Sequence, residues 1–159
     1  MKINTKQMLK FIAVPLIVGG VSAFFTRKGM NMFDVWKQPP LSPPAWLFPI
    51  VWTILYILMG IASYLVYYSD KEENEKQNKQ LALKIYSIQL LVNFLWPVFF
   101  FNFQWLLFSF IWLLLLWILV YFMLFMFGKF TKPAMYMIIP YLIWLTFAGY
   151  LNFGIWWLN

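Results

Sequence analysis

Tryptophan is the residue of this chain with the most chemistry to offer. It has ten of them and neither histidine nor cysteine. Trp36, Trp46 and Trp52 surround two proline pairs, Pro39-Pro40 and Pro43-Pro44, in the stretch W-K-Q-P-P-L-S-P-P-A-W-L-F-P-I-V-W. The prolines forbid a helix through the segment and favour an extended or turning path. An indole combines an apolar body with a single N–H donor, so it settles where hydrocarbon meets water. A stiff, aromatic-lined loop running straight into an apolar segment predicts the lid and wall of a binding site.

What this chain does not offer is equally telling. Without His or Cys, the commonest haem ligands, the usual metal sites and most nucleophile–base pairs are missing, so no metal centre is predicted. Asp34 and the four carboxylates between 70 and 75 all lie outside the apolar segments. Hydrolase and transferase chemistry therefore has no acid–base pair inside a membrane. A proton-coupled exporter is disfavoured for the same reason, since it would keep an ionisable group there.

The elements that must position the tryptophans are membrane spans. The composition is 64% hydrophobic and 11% charged. Crossing roughly 30 Å of hydrocarbon at about 1.5 Å per residue takes some 20 residues, and such runs recur. They predict an all-α, integral membrane, five-helix bundle forming one domain over 1–159, with spans near 9–26, 45–68, 82–101, 105–127 and 133–158. Each span must be helical, because backbone facing lipid satisfies its own hydrogen bonds. Val21-Ser22-Ala23 loosely resembles a signal cleavage site, but a chain with four further spans more often keeps its first. The charged run from Asp70 to Lys84 predicts a solvated connector, Asn102-Phe103-Gln104 a tight turn, and Pro133 a first helical turn.

Nine of the twelve Lys and Arg residues fall on one side of this arrangement; Arg27, Lys28 and Lys37 fall on the other. The bias predicts a multi-pass protein of the cell membrane with a cytoplasmic N-terminus and the Pro-Trp loop outside. Basic residues scattered through short loops do not suggest nucleic acid; the partner they imply is the bilayer.

Helical spacing then selects stripes unsuited to lipid. These are Trp52, Tyr56, Gly60 and Ser63 in span two; Gln89, Asn93, Trp96 and Pro97 in span three; and Pro140, Trp144, Ala148, Leu151 and Asn152 in span five. Polar groups there need partners, so Gln89, Asn93 and Asn152 should point inward. Two readings stay open: helix–helix glue, with Gly60 and Ala148 permitting close approach, or a shared ligand pocket. Trp105, Trp156 and Trp157 read as interface anchors, and Trp112 and Trp117 as either lipid-facing or pocket-lining.

These stripes, in this order, resemble the TspO/MBR family of tryptophan-rich sensory proteins and translocator proteins. The resemblance rests on 36–60, on N-F-L-W-P-V-F-F at 93–100 and on P-Y-L-I-W-L-T-F-A-G-Y-L-N at 140–152. It implies five transmembrane helices, commonly dimeric, with a pocket beneath the first loop. It also implies porphyrin, haem or benzodiazepine-site small molecules as ligands, with no obligatory cofactor. The implied pocket falls on Ala23, Trp52, Asn93, Trp96, Trp144, Ala148 and Leu151. Light-dependent protoporphyrin degradation, known in some bacterial members, would place the reactive indoles at Trp52 and Trp144. Passive transport of small amphipathic molecules is the alternative. The sterol motif of animal members is incomplete here, because no Lys or Arg follows Tyr150.

Overall fold

The computed structural model describes residues 4–69 and 75–159. Five long apolar helices carry it: α1 (Thr5–Thr26), α2 (Leu47–Tyr67), α3 (Lys76–Pro97), α4 (Leu106–Phe130) and α5 (Lys132–Leu158). Each is long and apolar enough to cross a membrane, and no strand occurs among the described residues. α1 packs on α2, α2 on α5, α5 on α4, α4 on α3, and α3 returns to α1, closing a ring in the order 1-2-5-4-3.

The core follows helical periodicity. Met59, Ala62 and Val66 of α2, Val120, Met123 and Phe127 of α4, and Ala134, Ile138 and Tyr141 of α5 are fully buried at steps of three and four. Large apolar side chains such as Ile17, Leu91, Ile111 and Ile143 cover the outside, as a lipid-facing surface requires. α1 joins along a narrow stripe only: 11% of its membrane window is buried, against 33–44% for the other helices. Gly60 makes that stripe close. A Cβ there would stand 2.5 Å from the Ile12 Cα and 2.8 Å from the Phe11 carbonyl oxygen, which Pro15 leaves without a helical donor.

Three boundaries differ from the sequence reading. α3 begins at Lys76, so 76–84 is helix and not a solvated connector; amphipathic turns continue a span beyond the hydrocarbon. The remainder of that connector, 70–74, lies outside the described residues. Only Thr131 separates α4 from α5, with Pro133 in the first turn of α5. The expected tight turn at 102–104 is the end of a larger irregularity. Pro97 has no N–H to continue α3, and Val98–Asn102 relaxes into a π turn closed by Phe103 N–H donating to the Val98 carbonyl at 3.0 Å. Gln104 then turns the chain at φ 55°.

Between α1 and α2 a short 3-10 helix (Gly29–Asp34) leads into the proline loop. The Ser42 N–H donates to the Pro39 carbonyl, and Leu41 has φ 66°, giving a turn with proline at its second position. The loop is fastened to the end of α5. The Lys37 N–H donates to Asn159 Oδ1 at 2.9 Å, Asn159 Nδ2 donates to the Lys37 carbonyl at 3.1 Å, and the Tyr150 hydroxyl donates to the Pro40 carbonyl at 2.7 Å.

Candidate functional site

A cavity of about 460 Å³ opens at the end of the bundle that carries the proline loop. Ligand sites commonly span about 300–1,000 Å³. Its walls come from α1, the 3-10 helix, the start of α2 and the end of α3. α1 contributes Gly19, Ser22, Ala23, Thr26 and Arg27, one helical face running outward. Gly19 is required: a Cβ there would fall 2.1 Å from the Tyr56 ring. The Ser22 hydroxyl donates to the Phe94 carbonyl at 2.9 Å, tying α1 to α3. At the rim stand Arg27, Asn31 and Asp34.

The floor is aromatic and polar together. Trp52 lies 5.6 Å from Tyr56 and 6.0 Å from Tyr141, centroid to centroid. The Trp52 indole N–H has no partner among the described residues. That of Trp96 is committed to Asn152 Oδ1 at 3.1 Å, so Trp96 offers its ring alone, stacked on Phe100 at 5.2 Å. The π turn is what brings Phe100 and Phe101 back towards the site.

Beneath the floor runs a chain of hydrogen bonds whose direction has one origin. Gln89 Nε2 faces the Met59 sulfur at 3.6 Å, and a thioether has no hydrogen to give. Gln89 therefore turns its Oε1 to the Tyr141 hydroxyl, which donates to it at 2.9 Å. Tyr141 in turn accepts from Asn93 Nδ2 at 2.7 Å, and Asn93 Oδ1 accepts from the Tyr56 hydroxyl at 2.8 Å. Asn93 is 2% exposed and lines the cavity, so its amide meets a ligand in one fixed orientation. Asn93 thus ties α3 to α2 and α5 and also lines the cavity, whereas Gln89 and Asn152 bond between helices without lining it.

Of the residues singled out in the sequence, Ala23, Trp52, Asn93 and Trp96 line the cavity. Trp144, Ala148 and Leu151 do not. Phe48, a lining residue, sets its ring against Trp144 at 5.9 Å and separates it from the cavity. Ala148 and Leu151 are buried in packing. Pro140 is exposed, so the span-five stripe is misplaced at that end; the inward face runs through Ile138, Tyr141 and Leu145. Tyr141, Phe48, Arg27 and Asp34 were not found from the sequence. Tyr141 had a signal, its seven-residue interval to Ala148. Trp112 and Trp117 also stay outside the cavity, bonding the Val92 carbonyl at 2.8 Å and Thr146 Oγ1 at 2.9 Å.

The sequence profile of the TspO/MBR family matches residues 11–158. The chain belongs to the TspO/MBR family. It is 38% identical over 158 residues to tryptophan-rich protein TspO of Chlorobaculum tepidum, covering 97% of this chain and 98% of that one. Protein CrtK of Rhodobacter capsulatus is 38% identical over 127 residues, with coverages of 80% and 78%. The bovine translocator protein is 31% identical over 147 residues, with coverages of 92% and 86%. No basic residue follows Tyr150 in this chain, and its hydroxyl holds the proline loop.

Proposed function

We propose that this protein is a tetrapyrrole-binding sensor or regulatory receptor of the cell membrane, its N-terminus cytoplasmic and its proline loop outside. The observation that carries the reading is the cavity, which joins oxidisable and stacking rings (Trp52, Tyr56, Trp96) to one oriented amide, Asn93. A flat macrocycle is matched by such walls, and porphyrin or haem is the ligand class the family resemblance implies. Haem would bind through its apolar body, since the chain has no His or Cys to ligate it. The homodimer rests on the family resemblance alone.

Light-dependent porphyrin degradation is a second reading, favoured by Trp52. Its ring lines the cavity and would lie beside a bound, light-excited macrocycle. Trp144 enters this reading differently. Its indole N–H is buried without an acceptor behind Phe48, so a ligand that displaced Phe48 would supply the missing bond and extend the site to Trp144, Ala148 and Leu151. Passive transport finds no comparable support.

The test is a titration of purified protein with protoporphyrin in darkness, followed by tryptophan fluorescence, and then illumination in air. Saturable dark quenching with one site per chain supports the receptor. Its absence overturns the proposal, and dark binding without spectral change in light removes only the photochemistry.

A further inference from the structure

The outer rim of the cavity has a cation, Arg27, with no ion pair among the described residues. Arg27 closes α1, where the carbonyl end of the helix favours a cation. Among the described residues its side chain meets only Phe24, the guanidinium carbon 4.3 Å from the centroid of that ring. Asp34 lines the same rim, yet the two form no ion pair among the described residues. Lys28 and Lys37 lie beside them in sequence, so the loop is net positive. Inward from Arg27 the α1 wall shrinks to Ala23 and Gly19, which makes room for a flat body against Trp52.

We infer that Arg27 is a specificity-determining residue: the cavity takes a planar aromatic molecule carrying a carboxylate, with the ring on Trp52 and the anion at the Arg27 guanidinium. The inference rests on the binding reading above and adds which end of the ligand faces outward and what charge it bears. A guanidinium can hold a carboxylate with two parallel hydrogen bonds, a geometry that an ester cannot match. Asp34 on the same rim repels the anion, so it sharpens the demand that the ligand's charge reach Arg27.

The experiment compares protoporphyrin with its dimethyl ester, in darkness, on protein in nanodiscs of zwitterionic lipid. Arg27→Gln should weaken the free acid about fivefold more than it weakens the ester, the scale of one solvent-accessible ion pair. Arg27→Lys should keep most of the preference, and Asp34→Asn should tighten the free acid. Should Arg27→Gln fail to fold, the unmodified protein still decides. Raising salt from about 0.01 M to about 0.5 M should weaken the acid and spare the ester, because a rim charge is screened. Equal effects of Arg27→Gln on both compounds would overturn the inference while leaving porphyrin binding intact. Binding of neither compound to the unmodified protein would overturn the receptor reading and this one with it.

Discussion

Asn93 Nδ2 donates to the Tyr141 hydroxyl across 2.7 Å, from the last two turns of α3 to the third turn of α5, and both side chains are buried. Tyr141→Phe removes an acceptor from Asn93 and a donor from Gln89 in one step. A buried polar group left unsatisfied costs about 1–3 kcal/mol. With two such groups, the variant should lose about 2–6 kcal/mol of stability in detergent unfolding. Adding Asn93→Leu should cost less than the sum of the separate changes, because the pair is already broken. Strict additivity would show that the two do not depend on each other.

Ala23→Phe should block porphyrin while the fold keeps its stability. Ala23 is exposed on α1 and also forms cavity wall, so a benzyl group there fills the cavity and not the core. Ala148→Phe is expected to act otherwise: it overpacks a buried site and should destabilise by about 1–3 kcal/mol. Dark titration beside thermal unfolding separates the two effects.

Light-driven loss of the porphyrin absorbance should depend on Trp52 more than on Trp144. Phenylalanine keeps the ring area of either but is much harder to oxidise. Trp52→Phe should retain most dark binding and lose most of the bleaching. Trp144→Phe should lose less, because Phe48 stands between it and the cavity, and Phe48→Ala should make the Trp144 contribution larger. Trp156→Phe, away from the cavity, serves as the control. Equal bleaching in all of them would assign the chemistry elsewhere.

The chain has no cysteine, which makes its topology easy to test. Single cysteines at Lys28 and Gln77 should be labelled from opposite faces of the cell, with Gln77 cytoplasmic. Labelling of both from outside would contradict the cytoplasmic N-terminus.

The helices were legible in the sequence because hydropathy alone requires them. Their ends were less so: Lys76 to Lys84 looks like a connector by charge, although charged residues continue a helix once it leaves the hydrocarbon. In span five the aromatic and proline types at Trp144 and Pro140 drew attention from Tyr141. A shift of one position turns a helical face by about 100°. Tyr141 owes its inward place to partners on another helix, Asn93 and Gln89 of α3. Loop docking was beyond reach for the same reason, since Lys37 and Asn159 are 122 residues apart. The α1 wall lacked any polar pattern except Ser22 and Thr26; Ala23 alone was found, through the family resemblance.

The hydrogen-bonded chain beneath the cavity bears on leakage. Strings of hydroxyls and amides across a bilayer invite proton hopping, which needs every link to reverse and both ends to exchange with water. This string stops at the Met59 sulfur, which neither releases a proton nor takes one up at ordinary pH. Its links have one arrangement, and reversing them would press the Gln89 oxygen against that sulfur. The wire is thus cut at its inner end. A cell could keep a polar, ligand-accepting floor deep in its membrane without short-circuiting its proton gradient.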